Sequence, residues 1–151
     1  MTQAAQMAYS LAAKATMSNF YLYQNASQSF AATTAAALNC QAALFDDLGE
    51  CTLGTAAKFT AQQAGTYVFF GGVHGTTTSG PAKILYLFVN GVERVRMQET
   101  GSTAGGATFA GSSGPVKLNA GDYVQLYYFS GIADTSTAGS TITYFSGQRT
   151  K

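Results

Sequence analysis

The chain has 151 residues, enough for one ordinary domain with its own hydrophobic core and a short appendage. Only 10% of it is charged, with a formal net charge of +1, while apolar residues reach 46% and aromatics 13%. Against an ordinary charged content of about 25%, the polar surface has to be built from hydroxyls and amides, which excludes a disordered chain.

The basic residues are scattered along the chain, with Arg94 and Arg96 a close pair. A groove that tracks phosphates needs several clustered cations, so nucleic acid is not expected as a partner. No segment approaches the roughly 20 apolar residues of a membrane helix, so membrane insertion is not expected either. At the start of the chain no basic stretch precedes a long apolar run, and Lys14 interrupts the Ala-rich segment, so no secretory leader is read there.

From Thr2 to Tyr23 the chain has a helical look, with a thin apolar stripe through Ala4, Met7, Ala8, Leu11 and Ala15. The segment ends in Phe20-Tyr21-Leu22-Tyr23, an aromatic knot that a free tail in water would not carry comfortably. The expected organisation is therefore an N-terminal arm over residues 1–28, docking through Phe20, Tyr21 and Tyr23, and a β-domain over 29–151. A strand of the main fold after a frayed terminus is the other reading.

From Ser29 onward, short β-prone runs alternate with turn residues. Strands are predicted over Phe30–Leu38, Ala42–Phe45, Ala57–Thr60, Thr66–Val73, Lys83–Val89, Val92–Glu99, Ala107–Leu118 with a break, Tyr123–Phe129 and Thr141–Ser146. Asn90-Gly91 between two of them supplies the positive φ values of a two-residue hairpin turn. Asn119-Ala120-Gly121-Asp122 makes a second turn. With no helical pattern between strands, the sheets should be antiparallel.

Several strands are apolar on both sides. Tyr67 and Phe69 oppose Val68 and Phe70; Ile84, Tyr86 and Phe88 oppose Leu85, Leu87 and Val89; Tyr123, Gln125, Tyr127 and Phe129 oppose Val124, Leu126 and Tyr128. A lone sandwich needs only one greasy face per sheet. Sister subunits are the simplest cover for the second, so a homotrimer is expected, packed through Tyr67, Phe69, Tyr127, Phe129 and Tyr144.

Candidate chemistry is sparse. Cys40 and Cys51 lack metal-ligand spacing, and a disulfide and two buried thiols both remain open. His74, the only histidine, reads as a polar residue beside a Thr-rich loop, with no nucleophile or carboxylate spaced to pair with it. Asp46, Asp47 and Glu50 read as a solvated loop rather than a calcium site. No enzyme, cofactor or metal is expected. Recognition, if any, falls to the loops at Thr76–Ser79, Gly101–Gly106 and Asp134–Gly139.

Three motifs then line up in order. Phe59, Gly65, Tyr67 and Phe69 resemble the F-x5-G-x-Y-x-F core of the C1q domain signature; Leu118, Gly121, Asp122, Val124 and Leu126 resemble its L-x-x-G-D-x-V-x-L turn and strand; and Thr143-Tyr144-Phe145-Ser146-Gly147 is similar to its terminal strand. Gly71 stands where the signature has its last aromatic, and no collagen-like repeat precedes the domain. The resemblance implies an all-β, antiparallel jelly-roll β-sandwich of the C1q/TNF-like kind, forming a trimer.

Functionally, the expectation is a non-enzymatic bacteriophage virion structural protein folded in the host cytoplasm. It would be a capsid decoration (cement) or head-fibre protein whose arm grips the major capsid protein or another virion protein. The alternatives are a tail-fibre tip that binds a host surface glycan or receptor, and an extracellular C1q-like recognition or adhesion module. For the last of these the Asn25-Ala26-Ser27 sequon is weak support.

Overall fold

The computed structural model describes residues 2–6, 17–77, 82–101 and 107–151. Of the expected N-terminal helix, residues 3–6 form one turn, and residues 7–16 lie outside the described part. The rest is β-structure: β1 (Asn19–Tyr23), β2 (Ser29–Phe30), β3 (Ala36–Ala37), β4 (Ala42–Asp46), β5 (Cys51–Thr52), β6 (Lys58–Thr60), β7 (Gly65–Gly75), β8 (Lys83–Val89), β9 (Val92–Thr100), β10 (Ala107–Leu118), β11 (Tyr123–Ser130), β12 (Asp134–Thr135) and β13 (Tyr144–Arg149).

Two antiparallel sheets stack face to face. The first has the order β10-β7-β13-β1-β4; the second runs β5-β6-β11-β8-β9, with β3 added to β11; and β2 and β12 form a small pair of their own. Neighbours distant in sequence pair throughout, as when β1 lies between β13 and β4. This interleaving is the jelly-roll connection.

Local chemistry explains the turns. Asn90 and Gly91 both take positive φ, 52° and 78°, as the predicted hairpin demands. Asp122 ties the second turn to that hairpin: its carboxylate accepts from the Asn90 amide at 2.8 Å and from the Asn119 backbone N–H at 2.7 Å. The single strand predicted over Phe30–Leu38 is instead β2 and β3 with a turn between them, where Thr33 takes φ 56° and its N–H donates to Ser130. The last strand starts at Tyr144, not Thr141, because Thr143 is held in a turn by its N–H to the Gly139 carbonyl and its hydroxyl to the Thr137 carbonyl.

The core lies between the sheets. Phe20, Leu22, Tyr67, Phe69, Val73, Phe109 and Phe145 of the first sheet meet Phe59, Leu85, Leu87, Val124, Leu126 and Tyr128 of the second. Phe20 stacks on Phe59 at 4.8 Å and meets Phe145 edge-on at 5.1 Å. This corrects two expectations. Residues 19–23 are an inner strand of the sandwich, so the arm does not extend to residue 28, and Phe20 fills the core instead of docking elsewhere. Tyr67 and Phe69 are each 0% exposed inside their own subunit and have no surface left for a sister chain.

Buried polar networks close both ends. At the hairpin end, Glu50 accepts from the Ser18 hydroxyl and from the Gln62 N–H, and the Tyr67 phenol donates to the Gln63 carbonyl at 2.7 Å. At the opposite end, Lys83 pairs with Asp134.

Candidate assembly face

Each sheet turns its second face away from the core, and strand alternation decides what appears there. On the first sheet, β7 turns out Val68, Phe70, Gly72 and His74, the odd-numbered side chains of this strand being spent inward. Cross-strand register sets Phe70 beside Ser146 and Gly72 beside Tyr144 on β13; Tyr144 in turn lies beside Tyr23 on β1. Tyr21 sits opposite Phe45 on β4.

The result is an aromatic cluster built from four strands. Tyr21 and Tyr144 stack at 5.3 Å, and Tyr21 meets Phe45 at 6.2 Å. Gly72 makes the floor, since a Cβ there would come within 2.6 Å of the Tyr144 ring. The Tyr21 phenol donates to the Ser140 carbonyl at 2.7 Å, and its pKa is raised, first by burial and then by the neighbouring Tyr144. Asn19, Tyr21, Phe45, Phe70, Ser146 and Gln148 border a shallow groove of about 200 Å³. Phe45 and Phe70 remain 39% and 40% exposed, and Leu44 on the edge strand β4 is 59% exposed.

The second sheet turns out Ile84, Tyr86, Phe88, Tyr123, Tyr127 and Phe129. Here the chain supplies its own cover. Phe88 stacks on Tyr127 at 4.0 Å, Tyr86 meets Phe88 edge-on, and Arg96 lies over the Tyr86 ring at 5.5 Å. Glu93 and Glu99 hold that guanidinium at 3.2 and 3.1 Å. Ile84 and Tyr86 are left only 7% and 8% exposed.

The five residues expected at a trimer interface are therefore not brought together. Tyr67 and Phe69 are core, Tyr127 and Phe129 lie on the second sheet's outer face, and Tyr144 lies on the first sheet's. Of the expected docking residues, Tyr21 and Tyr23 join Tyr144 there. Phe45 and Phe70 were missed as partners in the cluster. Strand alternation marks Phe70 only as the far side of a two-faced strand, and nothing local in the sequence ties Phe45 to Tyr21.

The remaining candidates are simpler. Cys40 and Cys51 are free thiols; burial pushes the Cys40 thiol up to about 12 and raises that of Cys51, where the Asp46 and Glu50 charges add to burial. His74 Nδ1 lies 3.0 Å from the Thr108 hydroxyl across β7 and β10. The acidic loop is a turn, with Asp46 accepting from the Glu50 and Cys51 N–H groups. Among the described residues no three His, Cys, Asp or Glu side chains come together as a metal site would require. Residues 78–79 and 102–106 of the expected recognition loops lie outside the described part.

No protein-family model matches the sequence, and no curated protein matches it. In structure the chain is similar to an Eiger TNF from S. frugiperda, with a TM-score of 0.67 at 10% identity over 89% of this chain and 93% of that one. It is likewise similar to murine APRIL at pH 8.0, with a TM-score of 0.67 at 12% identity over 88% of this chain and 98% of that one. Likeness at such identity is a likeness of fold, and the fold is the TNF/C1q-like jelly roll.

Proposed function

We propose that the protein is a non-enzymatic structural module that works as a homotrimer, with the outer face of the first sheet turned toward its sister subunits. One observation carries this reading: Tyr21, Phe45, Phe70 and Tyr144 share one sheet face, where Phe45 and Phe70 stay about two-fifths exposed and no other described residue covers them. Fully burying an aromatic side chain stabilises by roughly 1.5–3 kcal/mol, so a few per subunit hold an assembly together. A closed ring of identical subunits buries such a patch without leaving a new one. The test is sedimentation equilibrium of the full chain. A trimer at micromolar concentration is expected, and a monodisperse monomer refutes the proposal.

The finer assignment is a virion surface protein of the decoration or head-fibre type. Its support lies in the sequence: a chain rich in hydroxyls and amides with few charges, and an Ala-rich stretch ahead of β1 that would serve as the grip on a shell. Decoration requires many copies per particle and binding of the purified trimer to emptied shells. Few copies, with lost adsorption when the protein is removed, would mark a fibre tip that binds a host receptor. Recovery of the protein from the exterior of cells and not from particles would mark an extracellular recognition module.

A further inference from the structure

Lys83 opens β8 on its inward side and is 2% exposed. Its Nζ lies 3.1 Å from Asp134 Oδ2, donates to the Thr77 carbonyl at 3.1 Å, and stands 5.3 Å from the centre of the Phe109 ring. Asp134, 4% exposed, is gripped at both oxygens. Oδ1 accepts from the backbone N–H groups of Thr77 at 2.9 Å and Thr135 at 2.8 Å, and Oδ2 accepts from the Tyr128 phenol at 2.8 Å. Gly75 leaves this centre its space: a Cβ there would run into Asp134 Oδ2 and sit 2.8 Å from the Tyr128 oxygen and 3.0 Å from Lys83 Nζ. The Ser130 and Thr77 hydroxyls are buried beside it without a hydrogen-bond partner among the described residues.

A buried ion pair contributes little stability, because desolvating both charges offsets most of their attraction. The same groups, however, are laid out for a condensation. We propose that Lys83 and Asp134 become joined by an amide bond between Nζ and Cγ, an intramolecular cross-link tying the start of β8 to the connection between β11 and β13.

The reaction needs no other reactant. The Lys83 ammonium passes one proton to Asp134 Oδ2, leaving an amine and a carboxylic acid. Nζ attacks Cγ, and the tetrahedral oxyanion forms on Oδ1, where the Thr77 and Thr135 N–H groups already point. Tyr128 gives its proton to Oδ2 and takes one from the attacking nitrogen; the Cγ–Oδ2 bond breaks, and water leaves. Of the three ammonium protons, two depart with that water and one stays on the amide. Fixed juxtaposition of this kind is worth an effective molarity up to roughly 10⁵–10⁸ M, which lowers the barrier to the condensation. Two buried charges disappear in the product, and their desolvation cost disappears with them. Burial, then the Asp134 hydrogen bond, raises the Tyr128 pKa, so the phenol keeps the proton it must relay.

The experiment is intact-mass spectrometry of the full-length protein, purified and incubated at neutral pH. The expected mass is one water below the sequence mass and unchanged by hydroxylamine, which would open a succinimide of the same mass. Tryptic digestion is expected to release one branched peptide containing both Lys83 and Asp134. Asp134→Ala should restore the full mass, and Tyr128→Phe should slow appearance of the lighter species by roughly tenfold or more. Wild-type protein that keeps the sequence mass, a lighter species to which hydroxylamine adds, or an unbranched peptide cleaved at Lys83 each overturns the proposal, whether or not the variants fold.

Discussion

The two outer faces of the sandwich start from the same difficulty, aromatic side chains on the side of a sheet that has no core to enter, and resolve it differently. On the second sheet the chain finishes its own surface: Arg96, pinned by Glu93 and Glu99, lies over Tyr86, and Phe88 stacks on Tyr127. On the first sheet no charged side chain among the described residues lies over the stacked pair Tyr21 and Tyr144, and Phe45 and Phe70 beside it keep about two-fifths of their surface in water. A count of aromatics on a strand's second face therefore does not measure a need for partners. What matters is whether a long charged side chain lies within reach to cover the rings, and among the described residues only the second sheet has one in place.

Substitutions can break this contrast directly. Phe70→Asp should have the largest effect, converting the assembly to monomers at micromolar concentration by sedimentation, whereas Tyr127→Asp on the other face should leave it assembled. Equal outcomes for the two variants would erase the distinction between the faces. Next in size is Phe20→Ala, which removes a ring packed against Phe59, Phe69 and Phe145. It should cost about 3–5 kcal/mol, measured by urea unfolding in the Phe70→Asp background so that protomer concentration drops out. An arm-docking Phe20 would instead leave monomer stability unchanged.

Smaller effects sharpen the account of the self-covered face. Arg96→Ala should leave assembly intact and increase quenching of tyrosine fluorescence by a soluble quencher, because Tyr86 loses its lid. Smallest is a pH effect at the end of the same sheet. The Asn90 amide and then the Asn119 N–H hold the Asp122 carboxyl below its ordinary range. A carboxyl depressed in the folded state stabilises above its unfolded value and loses that contribution as pH falls toward its folded one. Below about pH 4, Asp122→Asn should therefore flatten the acid decline of the unfolding midpoint relative to wild type.

Much of the fold was legible because its signals are local or periodic. The Asn90-Gly91 turn needs only two residues whose φ can be positive, and the strands on either side announce themselves by composition. Strand alternation showed that β7 has two apolar sides, yet it could not say which side faces inward. Tyr67 and Phe69 were as good a choice for the interface as Val68 and Phe70 until Phe59 and Phe20 were packed against them. The aromatic knot at residues 20–23 was similarly ambiguous. Its partners on β13 lie at the other end of the chain, so nothing near it in sequence says strand or arm.

The sequence by itself determined the class of fold, the antiparallel strands, the tight turns and the surplus of aromatic surface, since each depends on residues adjacent in the chain or on a period of two. Only the tertiary structure decided which aromatics became core, which faces were left open, and that the buried Lys83, Asp134 and Tyr128 side chains meet. Those outcomes depend on register between strands that are remote in sequence, and a shift of one residue would have turned every side chain to the opposite face.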